Sequence, residues 1–316
     1  MKHFIKVFFI SLLCFMLMIG AGIYTYARFF NPDESIDYTQ VENPAWYRDF
    51  EEVDEETLTP LEMAIRYSKR VNVLVLGLEG TRSDTIMLVS FDRATAHADI
   101  ISIPRDTFFH REGYDNPGQK KINAVYGASG ATGTMRVLEN LLKIPVHNFV
   151  TVDFEAVKKT VDVLNGVEVE VPFDMDYEDP YATPPLKIDI KKGVQILDGD
   201  QALQYLRFRH NNDLTVGYPD GDLGRIKAQQ TFIKNAARKA MSFRLPAVIR
   251  EIYPYFRTDL TLADMLLLAG DAITFSTEKM TTQTLPGHAT MIEGVSYFVH
   301  DPKQVVELVE SIYGVE

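Results

Sequence analysis

Apolar and polar positions change their period several times along this chain, and each change marks an element. Asn72–Leu78, Thr85–Phe91 and Asp99–Ile103 are three core strands. Within them Ile86–Val89 and Ile100–Ile103 are uninterrupted apolar runs rich in β-branched residues, the pattern of strands buried on both faces. A helical run follows from Thr134 to Lys143, closed by Pro145. Phe149–Asp153 is strand-like, and Phe154–Leu164 is a helix with its stripe at Phe154, Val157, Val161 and Leu164. Asn165-Gly166 ends that helix, and Val167–Val171 alternates as a half-exposed strand should. Three prolines make Tyr177–Pro185 a predicted loop ahead of a short strand at Leu186–Ile190. Asp198 caps a helix through Leu206, and a long helix runs from near Asp222 past Ala240 with Ile226, Phe232, Ile233 and Ala236 buried. Helices at Leu262–Phe275 and Pro302–Tyr313 flank strand-like pieces at Gln283–Leu285 and Ser296–Val299. Strands interleaved with helices predict an α/β fold, an α+β layered sandwich with a central mixed sheet flanked by helices.

Upstream the pattern is different. Val7–Tyr26 carries no charge over twenty residues, enough at about 1.5 Å each to span a bilayer core as one N-terminal transmembrane helix. Lys2 and Lys6 precede it and acids follow, which predicts a cytoplasmic residue 1–6 segment and an exported remainder on a single-pass cell-membrane anchor. Residues 27–69 form an acidic extracytoplasmic linker ending in a short helix opened by Pro60, and residues 70–316 are the predicted folded extracytoplasmic domain.

Charge sharpens this division. The net charge is −12, but residues 31–60 hold ten acids against one base, so the remainder is nearly neutral and has room for a basic cleft. Such a balance excludes a nucleic-acid partner, whose phosphates a binder must neutralise. The single cysteine, Cys14, excludes an intrachain disulfide. Seven histidines without paired ligand spacing argue against zinc, and no Gly-x-Ser-x-Gly elbow offers a serine nucleophile. Glycines at 127, 130 and 133 suggest a phosphate cradle, yet no Gly-Lys-Ser/Thr follows; a loop capping the next helix through Ser129 or Thr132 is the expectation.

Candidate chemistry gathers at the ends of the first strands, where Glu79, Arg82, Asp84, Arg105 and Asp106 stand. Carboxylates and guanidinium groups at core strand ends are costly unless paired, metal-bound or ligand-bound. Structural salt bridges and a dication-plus-phosphate site are both consistent with these residues alone. Asp106 orients its neighbour or serves as a base, Asp222 begins a helix, and Asp174 and Asp176 fall in a solvated loop. Phe108, Phe109, Phe149 and Phe232 either pack in the core or line a lipid tunnel.

The segments Arg82-Ser83-Asp84-Thr85, Ser102–Asp106, Lys121–Tyr126, Gly166–Pro172, Leu197–His210 and Gly221–Ile226 with Gln229-Gln230 together resemble the LytR-CpsA-Psr family of membrane-anchored cell-wall enzymes. The resemblance runs from about Val71 to the C-terminus, and the segments keep the family's order. It implies transfer of a glycopolymer from a polyprenyl-pyrophosphate carrier to a peptidoglycan hydroxyl, with Mg²⁺ (or Mn²⁺) present. It implies that Asp84, with Glu79, holds the metal and that Arg82, Arg105, Lys121, Arg207, Arg209, Arg225 and Gln229 face the pyrophosphate. Asp84, Arg105 and Arg225 are the implied catalytic set. Arginine forks match phosphate oxygens bidentately, and phosphoryl transfer is mostly positioning and charge stabilisation. A lipid-pyrophosphate hydrolase, and a non-catalytic lipid-glycan binder or transcriptional attenuator, remain open as alternatives.

Three departures from the family pattern stand out. Glu79 replaces an aspartate, Ala228 replaces a common arginine, and the Arg209–Arg225 interval carries about six extra residues around Asn211–Asp220.

Overall fold

A computed structural model describes residues 58–182, 185–240, 245–272 and 275–315. The chain divides into two units, Met1–Pro44 and Ala45–Glu316, and every described residue belongs to the second. The expected anchor at 7–26 and most of the acidic linker lie outside the described residues. Among the described residues no helix is long and apolar enough to cross a membrane.

In chain order the elements are α1 (Pro60–Tyr67), β1 (Arg70–Glu79), β2 (Arg82–Asp92), β3 (His97–Ile103), α2 (Val125–Leu142), β4 (Asn148–Val152) and α3 (Phe154–Val163). They continue with β5 (Val167–Val171), β6 (Met175–Asp179), β7 (Leu186–Ile190), β8 (Gly193–Leu197), α4 (Gly199–Arg207), α5 (Asp222–Ala240) and α6 (Leu245–Ile252). Last come β9 (Arg257–Thr258), α7 (Leu262–Asp271), β10 (Met280–Thr284), β11 (Gly287–Ile292), β12 (Val295–His300) and α8 (Pro302–Tyr313). Six strands form one mixed sheet in the order β10-β3-β2-β1-β4-β9. The β1–β2 and β2–β3 pairs are antiparallel, whereas β1–β4 and β10–β3 are parallel. The predicted central mixed sheet flanked by helices is therefore present.

The apolar runs on β1, β2 and β3 serve two cores because side chains alternate across a strand. Leu74, Leu76, Ile86, Leu88, Ile101 and Ile103 point to one face and pack with α2 and α8 through Leu138, Leu142, Leu308 and Ile312. Val75, Met87, Val89 and Ile100 point to the other face, toward Ile233 and Ala237 of α5. A third cluster under α3, α4 and α5 is built around Phe208, Leu197, Met175 and Phe232. Gln230 fastens α5 to the sheet, donating to Ser102 Oγ at 2.9 Å and to the Gln283 carbonyl at 3.1 Å.

Several expectations change. Residues 125–142 are two helical stretches that meet in a kink at Gly130, whose φ of 65° and ψ of −167° are non-helical; the expected break before the next helix is there, but neither the Ser129 nor the Thr132 side chain caps it. Glycine permits the positive φ at 130, and at 127 it permits a close approach, since a Cβ there would lie 2.7 Å from the Thr81 carbonyl oxygen, where α2 meets the β1–β2 turn. The predicted loop from Tyr177 begins instead inside β6, which pairs with β7 as a hairpin, and Asp176 is on that strand. Strands β8 and β11 and helix α6 had no sequence expectation, and the helix from Leu262 stops at Asp271.

Candidate functional site

Position 84 owes its direction to a fault in the β1–β2 ladder. Gly77 pairs with Thr85 and Leu78 with Ser83, so Asp84 is the extra residue of a β-bulge. Without the bulge, Asp84 would follow Ile86 and Leu88 onto the solid face. With it, Ser83 is buried and Asp84 joins Thr85 and Met87 in lining a cavity of about 690 Å³ on the opposite face. Gly77 keeps that wall low, since a Cβ there would stand 2.9 Å from Thr85 Cβ.

The cavity follows α5. Arg225 and Gln229 line it at the start of the helix and Ala236, Ala237 and Ala240 at its end. Fifteen residues of helix cover roughly 22 Å. Along that length the walls are apolar: Val75 and Met87 from the sheet, Val157 and Val161 from α3, Leu203 and Leu206 from α4. The other end is charged. Asp153 and Asp198 cap α3 and α4 by accepting hydrogen bonds from the amides of Ala156 and Gln201, which sets where each helix starts. Helix α4 then runs out at Arg207, whose guanidinium lies 4.5 Å over the Phe154 ring and donates to Glu79 Oε1 at 2.7 Å. Arg105, just past β3, donates to Asp84 Oδ1 at 2.6 Å. Arg225 is buried at 6% exposure, and Gln229 donates to the Leu206 carbonyl at 3.2 Å.

The two carboxyl groups take opposite parts. Burial raises the pKa of Glu79, and a hydrogen bond to Asp84 raises it further, outweighing the pull of Arg207. Burial also acts to raise Asp84, but the hydrogen bond from Glu79 and the charges of Arg105 and Arg225 win, and its pKa is lowered. Of the two, Glu79 is the one that takes up a proton first as pH falls, and Asp84 is the one that holds its charge longer. A hard dication fits the place of that proton. Magnesium is commonly held by one or two carboxylates and completes its shell with substrate phosphate oxygens and water. Among the described residues no group of three or more His, Cys, Asp and Glu side chains forms a self-sufficient metal cage.

Seven of the nine expected site residues line this one cavity: Glu79, Asp84, Arg105, Arg207, Arg209, Arg225 and Gln229. Arg82 and Lys121 are not in its walls. Arg82 is exposed beside the β1–β2 turn, and Lys121 ion-pairs with Asp106 at 3.0 Å. Neither Lys121 nor Asp106 lines the cavity. Of the four phenylalanines considered for a lipid tunnel, only Phe232 lines it. Phe108 packs edge-on to Tyr297 at 5.2 Å, and Phe109 and Phe149 pack against the solid core. Phe154 and Phe256 line it instead, together with Tyr177 and His210. Phe154 carried a signal as the first residue of a helical apolar stripe; no local pattern pointed to the others.

A long apolar cleft ending in arginines and a carboxyl pair has the makeup of a site for an amphiphile, with cations to face an anionic head and apolar walls to face a hydrocarbon tail. Residues 38–312 match the model of the LytR_cpsA_psr family, and the chain belongs to that family. It is 28% identical to the polyisoprenyl-teichoic acid–peptidoglycan teichoic acid transferase TagV of Bacillus subtilis (strain 168), over 89% of this chain and 70% of that one. It is 27% identical to the transferase of the same description, TagU, of Enterococcus faecalis (strain ATCC 700802 / V583), over 98% of this chain and 96% of that one. The crystal structure of B. subtilis TagV superposes with a TM-score of 0.65 at 27% identity, covering 79% of this chain and 99% of that one. A structure of TagT bound to LI-WTA superposes with a TM-score of 0.61 at 25% identity, covering 84% and 95%.

Proposed function

We propose that this protein moves a glycopolymer from a polyprenyl-pyrophosphate carrier to a hydroxyl of peptidoglycan. It does so outside the cell membrane, to which the segment Val7–Tyr26 anchors it. The observation that carries the reading is the joining, in one cavity, of an apolar length along α5 to the cluster of Arg105, Arg207, Arg209, Arg225 and Asp84. The relatives TagV and TagU, named as teichoic acid–peptidoglycan transferases, support the substrate class.

The reaction breaks the bond between the bridging pyrophosphate oxygen and the phosphorus that carries the glycan. A bond forms between that phosphorus and the acceptor oxygen; polyprenyl phosphate leaves, and the acceptor proton passes to solvent or a nearby base. Charge develops on the bridging oxygen and on the equatorial oxygens, which is where fixed guanidinium groups stabilise the transition state. Arg105 is held in place by Asp84, and Arg207 by Glu79 and the Phe154 ring, so their reorganisation cost is met on folding. Burial of Arg225 strengthens its field on any bound phosphate. The apolar walls hold the polyprenyl tail and keep water off the leaving group. Asp84 and Glu79 would hold a Mg²⁺ ion, which would neutralise diphosphate charge when bound. The test is a transfer assay with synthetic lipid-linked sugar and peptidoglycan, comparing wild type with Asp84→Ala and Arg105→Ala. Both variants are expected to lose transfer while Asp84→Ala still binds lipid; equal turnover in all three contradicts the assignment.

A further inference from the structure

The cavity has a stretch of wall that neither a prenyl chain nor a diphosphate accounts for. It is made by Tyr177 and Asp179 of β6 and by His210, the residue after Arg209. The Tyr177 and His210 rings meet edge to face, 6.2 Å between centroids and at 85°. Tyr177 and Asp179 are two apart on a strand, so they share a face, while exposed Glu178 between them turns away. The Glu178 peptide is fixed from both sides by one side chain. Its N–H donates to Asn212 Oδ1 at 2.8 Å, and Asn212 Nδ2 donates to its carbonyl at 2.8 Å. Asn212 belongs to the 211–220 segment, which folds back on Arg209: the Tyr218 amide donates to the Arg209 carbonyl at 3.2 Å, and His210 bridges Gly217.

Resting on the transferase reading, we propose that Tyr177, His210 and Asp179 form a pyranose subsite. It takes the first sugar of the lipid-linked donor, and Asn212 positions it. The chemistry matches a sugar rather than a lipid or a phosphate. A pyranose presents C–H faces, which an aromatic ring face attracts through its negative quadrupole, and hydroxyls, which a carboxylate accepts. The second oxygen of Asp179 is open to such a hydroxyl, because Oδ1 already accepts from the Tyr181 and Ala182 amides. Placement matches too. His210 follows Arg209 directly in the chain and both line the cavity, so the aromatic pair borders the cation that would face a bound diphosphate. The donor sugar is bonded directly to that diphosphate, whereas an acceptor sugar is not. The 211–220 segment thus acquires a role: it locks the rim of the cavity in the shape that reads the first residue of the polymer.

The experiment measures binding of two probes to the full-length protein in detergent. One is bare polyprenyl diphosphate and the other is the same lipid carrying one N-acetylhexosamine. Wild type is expected to bind the sugar-bearing lipid about tenfold more tightly. Tyr177→Ala, His210→Ala and Asn212→Ala are expected to erase that preference by weakening the sugar-bearing lipid more than the bare lipid, and Tyr177→Phe is expected to retain it. Equal wild-type affinity for both lipids, an equal loss of both in the variants, or a change confined to the KM of a soluble peptidoglycan acceptor overturns the subsite while leaving the transferase reading standing. Failure of wild type to bind bare lipid overturns both.

Discussion

The two faces of the central sheet use the same three strands for opposite purposes. On one face Leu74, Leu76, Ile86, Leu88 and Ile101 are each no more than 2% exposed and meet α2 and α8 in a filled core. On the other, Val75, Gly77, Thr85 and Met87 look across an open cleft to α5. A filled face converts apolar area into stability, about 25 cal/mol for each Å² removed from water. An open face forgoes part of that gain and keeps a surface for a ligand to bury. The bulge at Asp84 and the missing side chain of Gly77 are the local devices that make the two faces differ.

Substitutions can break this division or sharpen it. The largest effect belongs to the charged end: Arg225→Ala should lower transfer by a hundredfold or more, roughly 3 kcal/mol of transition-state stabilisation, with the melting temperature much less affected. Comparable melting loss and activity loss would make Arg225 a structural residue. Next comes the filled face, where Leu76→Ala should cost about 3 kcal/mol of unfolding free energy in denaturant titration and leave the lipid Kd of the folded fraction unchanged. Across the sheet, Ala236→Phe puts a ring into the cleft. It should weaken lipid binding tenfold or more and shift stability by less than about 1 kcal/mol, because it fills space instead of displacing neighbours. Gly77→Ala should cost about 1–2 kcal/mol through its contact with Thr85. The smallest effect is a pH dependence. Glu79 has a raised pKa, so in chelator its contribution to stability is present at acid pH and lost as pH rises through that value. Asp84 runs the other way, its contribution being lost as pH falls. Glu79→Gln should therefore gain melting temperature relative to wild type as pH rises above the ordinary carboxylate range. Parallel curves would mean that the pKa of Glu79 is not raised.

Legibility in the sequence followed the range of the interactions. The strands at Thr85–Phe91 and Asp99–Ile103 were readable because burial on both faces leaves an unbroken apolar run. Helix α3 was readable from its apolar stripe at Phe154, Val157, Val161 and Leu164, and α4 because Asp198 announces it as a cap. Long-range placement was less legible. Lys121 and Arg82 look like site cations beside Asp84 and Arg105, yet Asp106 claims Lys121, and the bulge that turns Asp84 inward leaves Arg82 on the turn. The prolines of 177–185 hid β6, since a hairpin strand needs a partner that only the folded chain supplies. Tyr177 and His210 could not be paired by inspection because their contact spans thirty-three positions.

The most direct test is a crystal structure of the protein with polyprenyl diphosphate. The diphosphate is expected within hydrogen-bonding distance of Arg105, Arg207 and Arg225, with the hydrocarbon chain running along α5 toward Ala240. A headgroup seated at Arg82 and Lys121, or a chain lying outside the cleft, would contradict the division of the sheet into a filled face and a binding face.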